Sequence, residues 1–251
     1  MNKPTLLITG ATAGIGEATA RLFAKNNYRL ILTGRRQARL DALKAELETE
    51  VLTLCFDVRD RKAVAENLEN LPEGWKEIDI LINNAGLAVG LSGIQNGEID
   101  DWERMIDTNV KGLLYVTRAI TPAIIARNKG GHVINIGSIA GKEVYPNGNV
   151  YCATKHAVDA LSRAMRMDLL PYGIKVTNIA PGLAETEFSM VRFKGDAEKA
   201  EKVYAGITPL YAEDIAEVIY FAATRPPHVT LNDIVIMPTA QGSSTLVNRK
   251  L

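Results

Sequence analysis

Thr5-Leu6-Leu7-Ile8-Thr9-Gly10-Ala11-Thr12-Ala13-Gly14-Ile15-Gly16 is the stretch whose reading decides the fold. Its apolar run has no polar alternation, as a strand covered on both faces requires. The glycines follow at once and lead into an amphipathic segment over residues 15–26, so a short buried strand turns directly into a helix. A helix N-terminus offers unpaired N–H groups, and glycine lets the backbone approach a phosphate, which makes the turn a candidate anion site. The spacing is Gly-x-x-x-Gly-x-Gly, not the Gly-x-Gly-x-x-Gly of the longer dinucleotide fingerprint, and glycines at a turn also have an ordinary structural use.

The same alternation continues along the chain. Strands are expected at 5–9, 29–33, 51–56, 78–82, 132–136, 175–179 and 233–237, and helices at 15–26, 38–50, 61–71, 101–128, 151–170 and 213–224. Right-handed crossovers between parallel strands then predict a single α/β domain over 1–251, a doubly wound Rossmann sheet of about seven strands with helices on both faces. No linker and no internal repeat interrupts the chain. After Pro181-Gly182 the pattern breaks, and residues 183–206 are read as a mobile lid over a substrate. Residues 239–251 are expected to be irregular and to lie against another subunit.

The 29 basic and 29 acidic residues give a formal net charge of zero, so there is no electrostatic case for nucleic acid or an anionic membrane surface. The expected partner is a small molecule. No run approaches the roughly 20 apolar residues of a membrane helix, and the first residues lack a signal-peptide core. Cys55 and Cys152 can build neither a disulfide framework nor a metal site, which fits a reducing cytoplasm and a reaction without metal.

Tyr151 and Lys155 are four residues apart and share one helix face. A free phenol has a pKa of about 10, too high for acid–base work near neutrality. A positive charge ~4 Å away contributes ~4 kcal/mol at an effective dielectric of ~20, enough to lower the phenol by ~3 units. Arg35 and Arg36 stand where the second strand ends, with no carboxylate before Asp41. An acidic residue there would bind a ribose hydroxyl, whereas arginine accommodates a 2′-phosphate, so NADP is favoured over NAD. The alternative is that both arginines only cap and solvate the next helix. Asp57 and Val58, at the end of the third strand, are candidates for holding an adenine, though a strand-end turn also explains Asp57.

Thr9-Gly10-x-x-x-Gly14-x-Gly16, Asn83-Asn84-Ala85-Gly86, Asn109, Ser138 thirteen residues before Tyr151, the Tyr151-x-x-x-Lys155 pair and Pro181-Gly182 together resemble the short-chain dehydrogenase/reductase family from Lys3 to the last strand. The resemblance implies that Tyr151 exchanges a proton with the substrate oxygen and that Ser138 hydrogen-bonds the same oxygen. Lys155 lowers the Tyr151 pKa and holds the nicotinamide ribose, and Asn109 positions a water that links Lys155 to solvent. The implied cofactor contacts fall on Gly10, Thr12, Gly14, Ile15, Gly16, Arg35, Arg36, Asp57, Val58, Asn83, Ala85, Gly86, Tyr151, Lys155, Pro181, Gly182 and Thr186. Family members commonly form tetramers through the helices at 101–128 and 151–170.

A narrower resemblance, in Asn149-Val150-Tyr151, Thr186-Glu187-Phe188-Ser189 and Val191-Arg192-Phe193-Lys194-Gly195-Asp196, is to the NADP-dependent 3-hydroxy acid dehydrogenases, which also act on serine and malonic semialdehyde. It implies a substrate carrying a carboxylate, with Ser138, Tyr151 and Arg192 as substrate-binding residues; a guanidinium fork matches a carboxylate. Lys194 competes for the role of Arg192, and a surface salt bridge is a further alternative. Lys142 and Glu143 are expected at the pocket, where their bulk and charge fit a small hydroxy acid poorly. A broader carbonyl or 3-oxoacyl reductase, and a cofactor-binding redox sensor without turnover, are the competing functions.

Overall fold

Successive residues of a strand point to opposite faces, so strands that are apolar at every position are stable only between two covered faces. The computed structural model describes residues 3–250 and contains seven strands, buried along nearly their whole length in the middle of the sheet and more exposed at its two edges, β3 and β7: β1 (Thr5–Thr9), β2 (Arg29–Gly34), β3 (Val51–Cys55), β4 (Ile80–Asn83), β5 (Gly131–Ile136), β6 (Ile174–Pro181) and β7 (Asp233–Ile236). All pair in parallel in the order β3-β2-β1-β4-β5-β6-β7. The chain therefore reverses direction across the sheet between β1 and β4, which opens a crevice beyond their carboxyl ends. The expected fold class is the observed one; the two chain ends of the 1–251 span lie outside the described residues.

The helices are α1 (Gly14–Lys25), α2 (Gln37–Glu46), α3 (Arg61–Leu68), α4 (Ile99–Ile106), α5 (Leu113–Ala126), α6 (Asn149–Leu169), α7 (Glu187–Arg192), α8 (Ala197–Lys202) and α9 (Ala212–Ala223). Leu6, Ile8, Leu30, Leu32 and Ile82 bury against one layer, with Phe23 of α1 and Ile215 and Ile219 of α9. Leu7, Ile31, Leu81 and Val133 bury against the other, with Val64 of α3, Val116 and Ile120 of α5, and Val158 of α6. Each such side chain contributes about 1.5–3 kcal/mol by leaving water. Among the described residues no helix is long and apolar enough to cross a membrane.

The helix expected over 101–128 is two helices joined by a π-helical turn, Asp107–Gly112. The wider turn shifts the face presented: Met105 of α4 packs with Tyr151 and Cys152, whereas Leu113 and Val116 of α5 pack on the sheet. Residues 183–206, expected to be irregular, contain α7 and α8, capped by the side chains of Thr186 and Asp196. The tail lies on its own chain: Arg249 donates to the carbonyls of Val203 and Ala205, and the Lys250 N–H to that of Gly206.

His132 in β5 is buried, with Nε2 2.7 Å from Thr177 Oγ1 and Nδ1 without a partner. Burial holds its pKa down at about 3. The unfolded chain, with His near 6.5, binds the proton first, so the stability this residue confers is complete above pH ~6.5 and is lost as pH falls toward 3. Urea titrations between pH 6 and pH 5 are expected to lose up to ~1.4 kcal/mol more for the wild type than for His132→Gln. Equal losses would contradict this.

Candidate active site

The carboxyl ends of β1, β4, β5 and β6 border one cleft with a cavity of about 510 Å³. At its floor the chain leaves β1 through Gly10, whose φ of +68° is a conformation that L side chains rarely adopt. The Asn84 amide donates to the carbonyls of Thr9 (2.9 Å) and Gly10 (3.1 Å) and so ties this loop to the end of β4. Gly10, Thr12, Gly14 and Ile15 then face the cleft at the start of α1. A loop of this shape at a helix N-terminus fits a pyrophosphate.

Arg35 and Arg36 border the same end of the cleft, beside Asp57 and Val58. Arg36 donates to the Thr12 hydroxyl (3.0 Å) and carbonyl (3.0 Å) and to Glu187 Oε2 (2.9 Å). Arg39, which has no motif to mark it, reaches Glu187 Oε1 at 2.5 Å. The Asp57 carboxylate is taken by Arg59 at 2.7 Å, with Arg35 at 3.7 Å. This end is thus rich in guanidinium groups, which suits a phosphate dianion.

At the opposite end α6 presents Tyr151 and Lys155, and the end of β5 presents Ser138. The Ser138 hydroxyl accepts from the Ala140 N–H at 3.1 Å, and its donation to the Pro181 carbonyl, at 3.4 Å, is long. The hydroxyl proton is therefore free to turn toward a ligand. Lys155 is buried; its Nζ donates to the Ile136 carbonyl at 2.8 Å and stands 5.9 Å from the Tyr151 ring centroid. Burial lowers the Lys155 pKa to about 8.

The lowered phenol expected from Lys155 is not what this environment produces. Burial pushes Tyr151 above its ordinary range, the neighbouring Tyr145 adds to that, and the Ser138 hydroxyl and the Arg192 charge oppose it. The Lys155 ammonium donates one hydrogen bond to a backbone carbonyl, and desolvation of a phenolate is the larger influence on Tyr151.

Gly14, Ile15, Ala85, Gly86, Pro181, Gly182 and Thr186 all line the cleft, but three expected residues stand behind its wall. Gly16 lies one turn into α1, where a Cβ would meet the Gly10 carbonyl at 2.5 Å. Asn83 donates to Thr117 Oγ1 and Asn135 Oδ1, both at 2.9 Å. Asn109 sits in the π-helical turn; its Oδ1 accepts from the Leu87 N–H (2.8 Å), and its Nδ2 donates to the Leu87 carbonyl (2.8 Å) and Thr154 Oγ1 (3.0 Å). With its amide committed to these three bonds, the Asn109 side chain braces the loop after β4 against α6.

Along α7, Phe188 meets the Tyr151 ring edge-on at 5.6 Å, and Arg192 donates from Nη2 to the Tyr145 hydroxyl at 2.8 Å. The Arg192 guanidinium lies 5.6 Å from the Tyr151 ring centroid. Lys194 is exposed and paired with Asp101 at 2.7 Å, outside the cleft. Lys142 and Glu143, expected at the pocket, turn away: Lys142 pairs with Asp159 and Asp233, and Glu143 accepts from the Ser244 N–H at 2.7 Å. The misfit with a small substrate disappears with them. Tyr145 and Phe188 line the cleft, and Gln241, which no motif announces, lines it too; Gln241 Oε1 holds the Leu183 N–H at 2.8 Å.

A phenol and a hydroxyl at one end of a cleft, beside a buried ammonium, can exchange a proton with an oxygen of a bound molecule. Residues 4–197 match the family model described as short chain dehydrogenase. The NADP-dependent 3-hydroxy acid dehydrogenase YdfG of Salmonella typhi is 52% identical over 242 residues, 96% of this chain and 97% of that protein. Sulfoacetaldehyde reductase 2 of Chromohalobacter salexigens is 46% identical over 241 residues, 95% of this chain and 96% of that protein. A solved structure of the closed form of serine dehydrogenase complexed with NADP+ superposes with a TM-score of 0.92 at 48% identity, covering 98% of this chain and 100% of that one. This chain belongs to the short-chain dehydrogenase family.

Proposed function

We propose that this chain is an NADP-dependent oxidoreductase that moves a hydride between its cofactor and a small 3-hydroxy acid of the serine, allo-threonine or 3-hydroxypropionate type. The observation that carries this reading is the charge at both ends of one cleft: Arg35 and Arg36 beyond the glycine loop, and Arg192 over Tyr151. The names of the relatives agree with it, since one denotes a hydroxy acid and another a sulfonated aldehyde, each a small molecule with an anionic group.

When bound, NADP would supply the acceptor for a hydride leaving the carbinol carbon, and its reduced form the donor for the reverse reaction. Gly10, Gly14 and Ile15 would hold the pyrophosphate, Arg35 and Arg36 the 2′-phosphate, and Pro181, Gly182 and Thr186 the nicotinamide end. Ser138 donates to the substrate oxygen and stabilises the charge that develops there. Tyr151 takes the hydroxyl proton in oxidation and gives it back in reduction. The Lys155 ammonium favours the phenolate and offers its two remaining N–H bonds to ribose hydroxyls. Arg192 pairs with the carboxylate, and residues 183–206 act as the lid that brings it in. Exposed Ile106 and Leu114 support a tetramer assembled through α4, α5 and α6. The free cysteines fit a cytoplasmic setting.

Tyr151→Phe is expected to lower kcat by roughly 10²–10⁴-fold while NADP still binds. An unchanged kcat would remove Tyr151 from the chemistry. Because burial raises the phenol, oxidation by the wild type should speed up with pH from neutrality into the alkaline range, whereas reduction, which needs the protonated phenol, should not. A pH-independent oxidation rate would contradict that assignment.

For Arg36→Ala, loss of a charge-assisted bond of about 1.5–3 kcal/mol should weaken NADP binding by ~10- to 150-fold and leave NAD nearly unaffected. Fluorescence titration with both dinucleotides measures this, and equal losses would reduce Arg36 to a loop brace. Arg192→Ala should raise the KM for L-serine at least tenfold on the same scale; an unchanged KM rejects the carboxylate role.

A further inference from the structure

We propose that Tyr145 sets the charge preference of the substrate site, by holding Arg192 above Tyr151 and by offering its own hydroxyl proton to the same carboxylate. The inference rests on the 3-hydroxy acid reading above. Tyr145 opens the turn Tyr145-Pro146-Asn147-Gly148, which closes with the Gly148 N–H on the Tyr145 carbonyl at 3.1 Å. Asn147 takes the left-handed conformation, φ +63°, and the chain folds back so tightly that the Tyr145 ring lies against residue 148. A Cβ at that position would stand 2.1 Å from Tyr145 Cε2. Glycine at 148 is thus what lets the ring lie against the start of α6, with its hydroxyl in reach of Arg192.

The Arg192 side chain is held from both ends. Its backbone carbonyl accepts from the Gly90 N–H at 2.9 Å, and its Nη2 donates to the Tyr145 hydroxyl at 2.8 Å. The guanidinium lies 5.3 Å from the Tyr145 ring centroid and 5.6 Å from that of Tyr151, so a group bound to it is beside the proton-exchanging phenol. Arg192 Nε is buried and has no partner. An orphaned donor of this kind is costly unless a ligand satisfies it. The Tyr145 hydroxyl accepts from Arg192, and its own proton has the Cys152 thiol, a weak hydrogen-bonding group, as a neighbour. The guanidinium and this hydroxyl put hydrogen-bond donors beside one positive charge, the chemistry that a carboxylate matches. A neutral substrate would leave the charge uncompensated.

The test uses the full-length enzyme with NADP and two substrates that differ in charge and by a single methyl group, 3-hydroxypropionate and its methyl ester. Tyr145→Phe keeps the ring on Gly148 and removes only the hydroxyl. It should raise the KM for the acid roughly tenfold or more, the size of a lost hydrogen bond to a charged group, while shifting the KM for the ester less than twofold. In an Arg192→Ala background the same substitution should add less than it does in the wild type, because the residue it positions is gone and only its own hydrogen bond remains to be lost. NADP affinity equal to wild type certifies the fold of each variant. Equal KM shifts for acid and ester would overturn the proposal and leave Tyr145 as pocket packing. So would effects that multiply in the double variant. If Arg192→Ala leaves the acid KM unchanged, the carboxylate reading falls and the proposal falls with it; if Arg192→Ala raises that KM and Tyr145→Phe does not, the proposal alone fails.

Discussion

The Lys155 ammonium is buried with a single hydrogen-bond partner, the Ile136 carbonyl, and the rest of the site is arranged around that cost. A cation withdrawn from water loses several kcal/mol of solvation and recovers it only through partners. One carbonyl leaves two N–H bonds of Lys155 unspent, so the site gains by admitting a ligand with hydroxyl oxygens and by letting the neighbouring phenol ionise. The same burial that depresses Lys155 raises Tyr151. Burial works against the charge on each group, and an opposite charge close by works for it, so the two protonation states are coupled.

Charge is concentrated at the two ends of the cleft although the chain as a whole has none. Arg35, Arg36 and Arg39 gather beside the glycine loop, with Glu187 of α7 between the last two. Arg192, five residues further along the chain, stands over Tyr151. The segment from Glu187 to Arg192 therefore touches Arg36 and Arg39 with one end and lies over the Tyr151 phenol with the other.

The strands and the site motifs were legible in the chain because continuous runs such as Leu6-Leu7-Ile8 and Val133-Ile134 mean strands buried on both faces, and Tyr151 and Lys155 fix their own spacing. What the chain hides is depth and direction. Asn83, Asn109 and Gly16 belong to the right turns, but their side chains or missing Cβ atoms serve contacts behind the cleft wall. Lys142 and Glu143 are in a pocket-side loop, yet their directions are set by Asp159, Asp233 and Ser244, far away in sequence. The π-helical turn at Asp107–Gly112 is a change of backbone bonding that no residue in the chain announces, and the shift of helix face it produces emerges only in the fold. The pKa of Tyr151 depends on burial, and spacing along a helix says nothing of that.

The most direct measurement is the initial rate of dinucleotide reduction by absorbance with L-serine and 3-hydroxypropionate, using NADP and NAD in parallel. Reduction of NADP by both acids, at rates well above those with NAD, is the predicted result. Tight NADP binding with no turnover of either acid would contradict it, because a cleft with Ser138, Tyr151 and Lys155 at one end and arginines at both would then be serving some other chemistry.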